Sequence, residues 1–157
     1  MKLPFGRSAR RVSTLAAASI GTVLLLSNPA FASYNDGFAA TTANACGSAI
    51  FVDYGEGAAG GGNNDDYVQI RDNCSDSHGI RAWAWVTEHT SAGDLTYSLG
   101  SKYNGNGVAG ADVIWDPFID GNVRAGDTVK LKVCLVDGSG DTTGSSCGTA
   151  THTSVDG

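Results

Sequence analysis

The chain has 157 residues, with 10 basic and 16 acidic side chains, four cysteines and 22 glycines. The first 32 residues carry Lys2, Arg7, Arg10 and Arg11 and no acid, so residues 33–157 hold six basic against 16 acidic residues, a net charge of −10. A surface that negative repels phosphate backbones and anionic lipid, which disfavours nucleic-acid and membrane-surface roles.

The basic head, the apolar run Leu15 to Leu26 and the closing Ala30-Phe31-Ala32 have the order of a secretory signal peptide. The run covers 12 residues, short of the roughly 20 that a spanning helix needs, and it has no polar face to suit a buried amphipathic helix. Residues 1–32 are therefore read as a signal peptide, cut after Ala32 to leave Ser33 first. The first cysteine, Cys46, lies far from that cut, and the end His152 to Gly157 has neither an apolar tail nor a basic stop. No membrane anchor is expected. Arg10-Arg11 is preceded by Ala9 and succeeded by Val12-Ser13-Thr14, a poor match to the twin-arginine pattern, so general secretion to the outside is expected. The remaining 125 residues suit one domain with a core of its own.

Residues 33–45 are small and polar without periodicity and read as a flexible arm, leaving 46–157 as the domain. From Ala49 onward, short β-branched and aromatic runs alternate with Gly, Asn, Asp and Ser clusters. Strands are expected near Ser48–Asp53, Asp66–Asp72, Gly79–Glu88, Leu95–Lys102, Asp112–Phe118, Thr128–Val136 and Cys147–Thr153. About seven short strands without a helical period predict an all-β antiparallel sandwich.

Four cysteines in an exported chain, none in a C-x-x-C pair, predict two disulfides rather than a metal or redox site. Placing Cys46 opposite Cys74 sets Ile50 against Ile70 and Val52 against Val68, with the apolar pairs on one face. Placing Cys134 opposite Cys147 sets Leu131 against Ala150 and Val129 against His152, while Lys130 and Lys132 share the other face with Thr149 and Thr151. The expected bridges are Cys46–Cys74 and Cys134–Cys147.

The strand Gly79–Glu88 puts Trp83 and Trp85 on one face and Ile80, Ala82, Ala84 and Val86 on the other. Two readings compete. Two alanines make a thin core on the second face, which favours burial of the tryptophans; alternatively Trp83 and Trp85 form an exposed platform with Tyr97, Tyr103 or Trp115, of the kind that stacks on sugar rings. The loop from Gly55 to Asp66 is longer than most hairpin connections, but it lacks the lysine and helix of a phosphate loop. Asp137, Ser139 and Asp141, like Asn63 to Asp66, read as solvated turn groups, with weak calcium binding the alternative and no other cofactor expected. Thr142 and Gly148 occupy the places of the glycine and the closing glutamate of an EF-hand loop. His78, Glu88, His89 and His152, with Asp76, are the residues available for acid–base work, and no catalytic signature surrounds them.

The turn Arg124-Ala125-Gly126-Asp127 leading into Thr128–Val136 resembles the lead-in to a late strand of immunoglobulin-like and fibronectin-like sandwiches, which implies a fold and no function. Phe51-Val52-Asp53-Tyr54-Gly55 with its Gly-rich sequel, and Val113-Ile114-Trp115-Asp116-Pro117-Phe118, are similar to segments of small exported proteins of filamentous actinobacteria. That resemblance implies export and no particular activity. The expectation is a secreted, non-enzymatic binding or surface-associated module whose ligand is a polysaccharide, a protein or a small apolar molecule. The alternatives are a protease inhibitor presenting Asp137–Ser146 and a small hydrolase or toxin using the histidines.

Overall fold

The computed structural model describes residues 36–53, 66–118 and 123–155. The chain divides into two units, Met1–Phe31 and Ala32–Gly157, and everything described lies in the second. The expected signal segment and nearly all of the Gly-rich loop, with Asn63, Asn64 and Asp65, fall outside the described residues. Those residues form strands and no helix: β1 (Phe38–Thr41), β2 (Gly47–Val52), β3 (Tyr67–Asp72), β4 (Gly79–Thr90), β5 (Gly93–Asn104), β6 (Val113–Trp115), β7 (Thr128–Val136) and β8 (Ser145–Thr153). Among them no helix is long and apolar enough to cross a membrane.

Two four-stranded antiparallel sheets result, one in the order β1-β2-β3-β6 and the other β5-β4-β7-β8. The core between them comes from alternate positions on each strand, as a two-residue period requires. Ala49 and Phe51 of β2 and Val68 and Ile70 of β3 meet Ile80, Ala82 and Ala84 of β4 and Val129, Leu131 and Val133 of β7, all essentially without exposure.

Both expected disulfides form, Cys46–Cys74 and Cys134–Cys147. Their separations of 28 and 13 residues close loops of the size worth about 3 kcal/mol each in the chain-entropy account. The β7–β8 register is the expected one, with Leu131 on Ala150 and Val129 on His152. The β2–β3 register is not. Ala49 faces Ile70 and Phe51 faces Val68, one residue away from the expected pairing, so Phe51 is core and Ile50 is turned outward. Extending this ladder would set Cys46 beside Asn73, whose amide donates to the Cys46 carbonyl at 2.8 Å. The bridge therefore runs diagonally to Cys74, and the premise that bonded cysteines stand directly opposite produces the slip.

The expected flexible arm is corrected as well. Phe38–Thr41 within it is β1, paired with β2 along its length and closing one side of the sandwich against β8. Gly148 permits the contact, since a Cβ there would run into the Thr41 carbonyl.

A carboxyl cluster fastens the same end. Asp36, whose side chain is 6% exposed, accepts from His152 Nε2 at 2.9 Å and from the Val155 amide at 2.8 Å, tying the start of the fold to its last strand. Its own amide donates to Asp53 Oδ2 at 3.3 Å, and the Val123 amide donates to buried Asp66. Burial first, and then the side chains of Asp36 and Asp66, push the Asp53 carboxyl up to about 8. Burial also works to raise Asp36, but hydrogen bonds with Asp53, His152 and Val155 outweigh it and hold that carboxyl below its usual range.

Two outcomes are expected. G148A should destabilise the fold by about 1–3 kcal/mol, the usual cost of overpacking, as read from the urea midpoint; an unchanged midpoint would contradict the β1–β8 contact. Asp53 keeps a proton in the folded chain that an ordinary carboxyl releases near 4, so its linkage lowers stability as pH rises from about 4 to about 8. The lowered Asp36 carboxyl acts the other way, losing its contribution as pH falls below about 4. D53N should flatten the decline between pH 5 and 8.5, whereas parallel pH curves for the two proteins would refute a proton kept by Asp53.

Candidate binding surface

The inward face of β4 is filled by Ile80, Ala82 and Ala84, which turns Trp83 and Trp85 to the outer face of the second sheet. This corrects the expectation that they are core: both are half-buried on the outside. The alanines do not leave a thin core because Phe51 and Ile70 from the facing sheet, and Leu131 from the neighbouring strand β7, supply the volume. The neighbours of each indole are set by the ladder. Trp83 lies between Ser101 of β5 and Lys132 of β7, and Trp85 between Ser98 and Lys130, with Thr149 and Thr151 of β8 beyond the lysines. Lys132 Nζ stands 4.8 Å from the Trp83 ring centre and Lys130 Nζ 5.6 Å from that of Trp85. At such distances the ammonium is held over the aromatic ring by about 0.5–1 kcal/mol at an exposed site.

Around the indoles the face is hydroxyl-rich and free of carboxylates. Thr96, Thr87, Thr128 and Thr153 form a row across four strands, with Thr87 to Thr96 and Thr128 to Thr153 each hydrogen-bonded at 2.9 Å. From Arg81 to Thr87 on β4, and at every position paired with them on that face, no Asp or Glu occurs. A bulge between Ala84 and Trp85, opposite Gly100 and Ser98, lets Leu99 pack inward without reversing the indoles. Of the other expected platform residues only Tyr103, paired with Arg81, shares the face. Tyr97 pairs with Val86 and lies on the opposite side, 45% exposed, and Trp115 is on β6 of the other sheet, packed against the core.

Arg81 ends this face and has no signal in the sequence, where it is a lone arginine in a strand. It is 7% exposed, stacks its guanidinium 5.7 Å from the Tyr103 ring centre, and donates to the carbonyls of Asp141 (2.8 Å) and Ser139 and to the Ser101 hydroxyl (3.1 Å). The loop after β7 is thereby anchored to β4. Asp141 organises it from within, accepting from the amides of Asp137, Thr143 and Gly144 and from the Thr143 hydroxyl. The Asp137 amide leads the hydrogen bonds that hold the Asp141 carboxyl far below its usual range. The Asp137 amide, the Ser139 carbonyl and the Asp141 carboxylate and carbonyl thus tie this loop together and to β4. Among the described residues no group of three or more His, Cys, Asp or Glu side chains is arranged to hold a metal ion.

Beyond Tyr103 the β3–β4, β5–β6 and β7–β8 connections enclose an open polar cleft of about 410 Å³, lined in part by Asp72, Asp76, His78, Tyr103 and Asn106. Gly79 and Gly105 flank the Tyr103 ring, and a Cβ at either would strike it. His78 lies 3.4 Å from Asp76 Oδ1 and 3.5 Å from Asp137 Oδ1.

The histidines do not converge. His152 is engaged by Asp36, His78 by the cleft acids, and His89 by Asp94 Oδ1 at 2.8 Å and Thr128 Oγ1 at 3.0 Å. The last trio has the order of an acid–base–hydroxyl relay. It lies open on the sheet, with the His89 and Asp94 side chains 45% and 64% exposed. β7 is paired on both sides at Thr128, so its amides serve the ladders rather than a developing oxyanion. The chain matches no family model, no curated protein and no solved structure.

Proposed function

We propose that the mature chain is an exported, non-enzymatic binding module that takes a polysaccharide on the outer face of the β5-β4-β7-β8 sheet, preferring acidic sugars to neutral ones. The observation that carries this reading is the outward placement of Trp83 and Trp85 side by side, each beneath a lysine. Two indoles on consecutive outward positions stand roughly 7 Å apart along a strand, and a flat run of serine and threonine hydroxyls surrounds them, as a hydroxylated chain requires. An approaching ligand meets the ammonium groups of Lys130 and Lys132 first, which favours carboxylate- or sulfate-bearing sugars. The net charge of −10 opposes such ligands at long range, but screening beyond about 8 Å at physiological salt leaves the local lysines in control of contact.

Export is supported by the Lys2 to Ala32 segment and agrees with the two disulfides, which persist in oxidising compartments. The lack of spare amides at Thr128 and the openness of the His89 trio support a non-enzymatic role. We also read the architecture as immunoglobulin-like: β5-β4-β7-β8 matches the C′-C-F-G arrangement and β2-β3-β6 the A-B-E one, with β1 added outside β2.

Affinity electrophoresis tests the reading. The mature protein should be retarded in gels containing alginate more than in gels containing an uncharged glucan. W83A/W85A should abolish retardation while costing less than the about 3–5 kcal/mol typical of a core tryptophan. K130Q/K132Q should erase the preference for alginate. Absence of retardation in every gel, or retardation untouched by W83A/W85A, would refute it; stronger retention by single-stranded DNA than by alginate would reassign the ligand.

A further inference from the structure

We infer that the cleft between the β3–β4, β5–β6 and β7–β8 connections is a second binding site, one that takes a small hydroxylated ligand carrying a protonated amine, such as a hexosamine. Asp72, one of its lining residues, is 5% exposed. Its Oδ1 accepts from the Cys74 amide at 3.1 Å, while its Oδ2 is buried without a hydrogen-bond partner. A buried carboxylate oxygen left unsatisfied is costly, and its charge, lying just beneath the cleft surface, favours a cation there. Asp76 adds a second acid to the lining, and Asp137 a third at the rim beside His78.

Among the described residues no lysine or arginine lines the cleft; its one imidazole, His78, stands against Asp76 and Asp137, and Arg81, on the Tyr103 wall, donates to Ser139, Asp141 and Ser101. Among the described residues no group of three or more His, Cys, Asp or Glu side chains is placed to hold a metal ion there. An ammonium suits better, because carboxylates only accept and an ammonium offers three donors with a full charge. The remaining walls, made of Ser75, Ser77, Tyr103 and Asn106, offer hydroxyl and amide groups to a ligand's own hydroxyls. A volume of about 410 Å³ is of the size that holds one small molecule. The glycines at 79 and 105 keep the Tyr103 ring seated as one wall.

Ligand binding in the cleft is independent of binding on the sheet face. Titration of the mature protein tracked by amide NMR tests the assignment, with D-glucosamine as the cationic probe and D-glucose as its neutral counterpart at neutral pH, where the amine is still largely protonated. Glucosamine should shift the resonances of Gly79, Tyr103, Gly105 and Asn106 and bind about tenfold or more tightly than glucose. D72N, which retains the acceptor for the Cys74 amide, and D76N, nearer the surface, should each weaken binding about tenfold, whereas W83A should leave it intact. If D72N does not fold, D76N carries the comparison. Equal binding of the two sugars, no binding of glucosamine, shifts confined to the sheet face, or undiminished binding by the variants would overturn the assignment.

Discussion

Ile80, Ala82 and Ala84 leave space between the sheets, and Phe51, Val68 and Ile70 from the facing sheet, with Leu131 and Val133 from the neighbouring strand β7, fill it. The strand that carries them has a two-residue period, so one choice of inward side fixes the other side completely. With small side chains turned in, the indoles of Trp83 and Trp85 must face out, and the antiparallel ladder sets Lys132 and Lys130 beside them. The outer surface is therefore a consequence of the packing of the interior. Reversing β4 would place two indoles and Arg81 between the sheets and expose the apolar set, a loss on both counts.

The lysines serve two ends at once. Held over the indoles, they shield part of an aromatic surface that would otherwise be exposed, and they turn their charge outward on a stretch of the face, from Arg81 to Thr87, that has no carboxylate. At the loop end Arg81 is more deeply committed, bound to two carbonyls and stacked on Tyr103, so it fixes the boundary between the sheet face and the acidic cleft. A lysine-bearing face and an acid-lined cleft of opposite local charge thus adjoin through one arginine–tyrosine pair.

Much of this is legible in the sequence, for reasons that separate the successes from the failures. The ends of β7 and the β7–β8 register up to Val133 come from the alternation of Thr128 to Val133 and from a bridge, Cys134–Cys147, that lies beside the Val133–Gly148 pair at a bulge. The β2–β3 register fails by one residue because Cys46–Cys74 is diagonal, which no count along the chain reveals. β1 escapes notice because Phe38-Ala39-Ala40-Thr41 is small and shows no clear alternation, although Ala40 is fully buried. The inward side of β4 is misjudged when side-chain size on that strand is weighed alone, because the core volume is supplied across the sandwich. Asp36, Asp53 and Asp66 are distant in sequence and converge only in the fold, so neither the raised Asp53 carboxyl nor the clasp has a local signal.

Tryptophan fluorescence tests the central claim, that Trp83 and Trp85 face solvent and carry the ligand. The chain has three tryptophans, so W115F reports on this pair alone. The account predicts emission that iodide quenches readily in the free protein, helped by the neighbouring lysines, and that added alginate protects from quenching. Emission already inaccessible to iodide without ligand, or equally quenched with and without alginate, would contradict it.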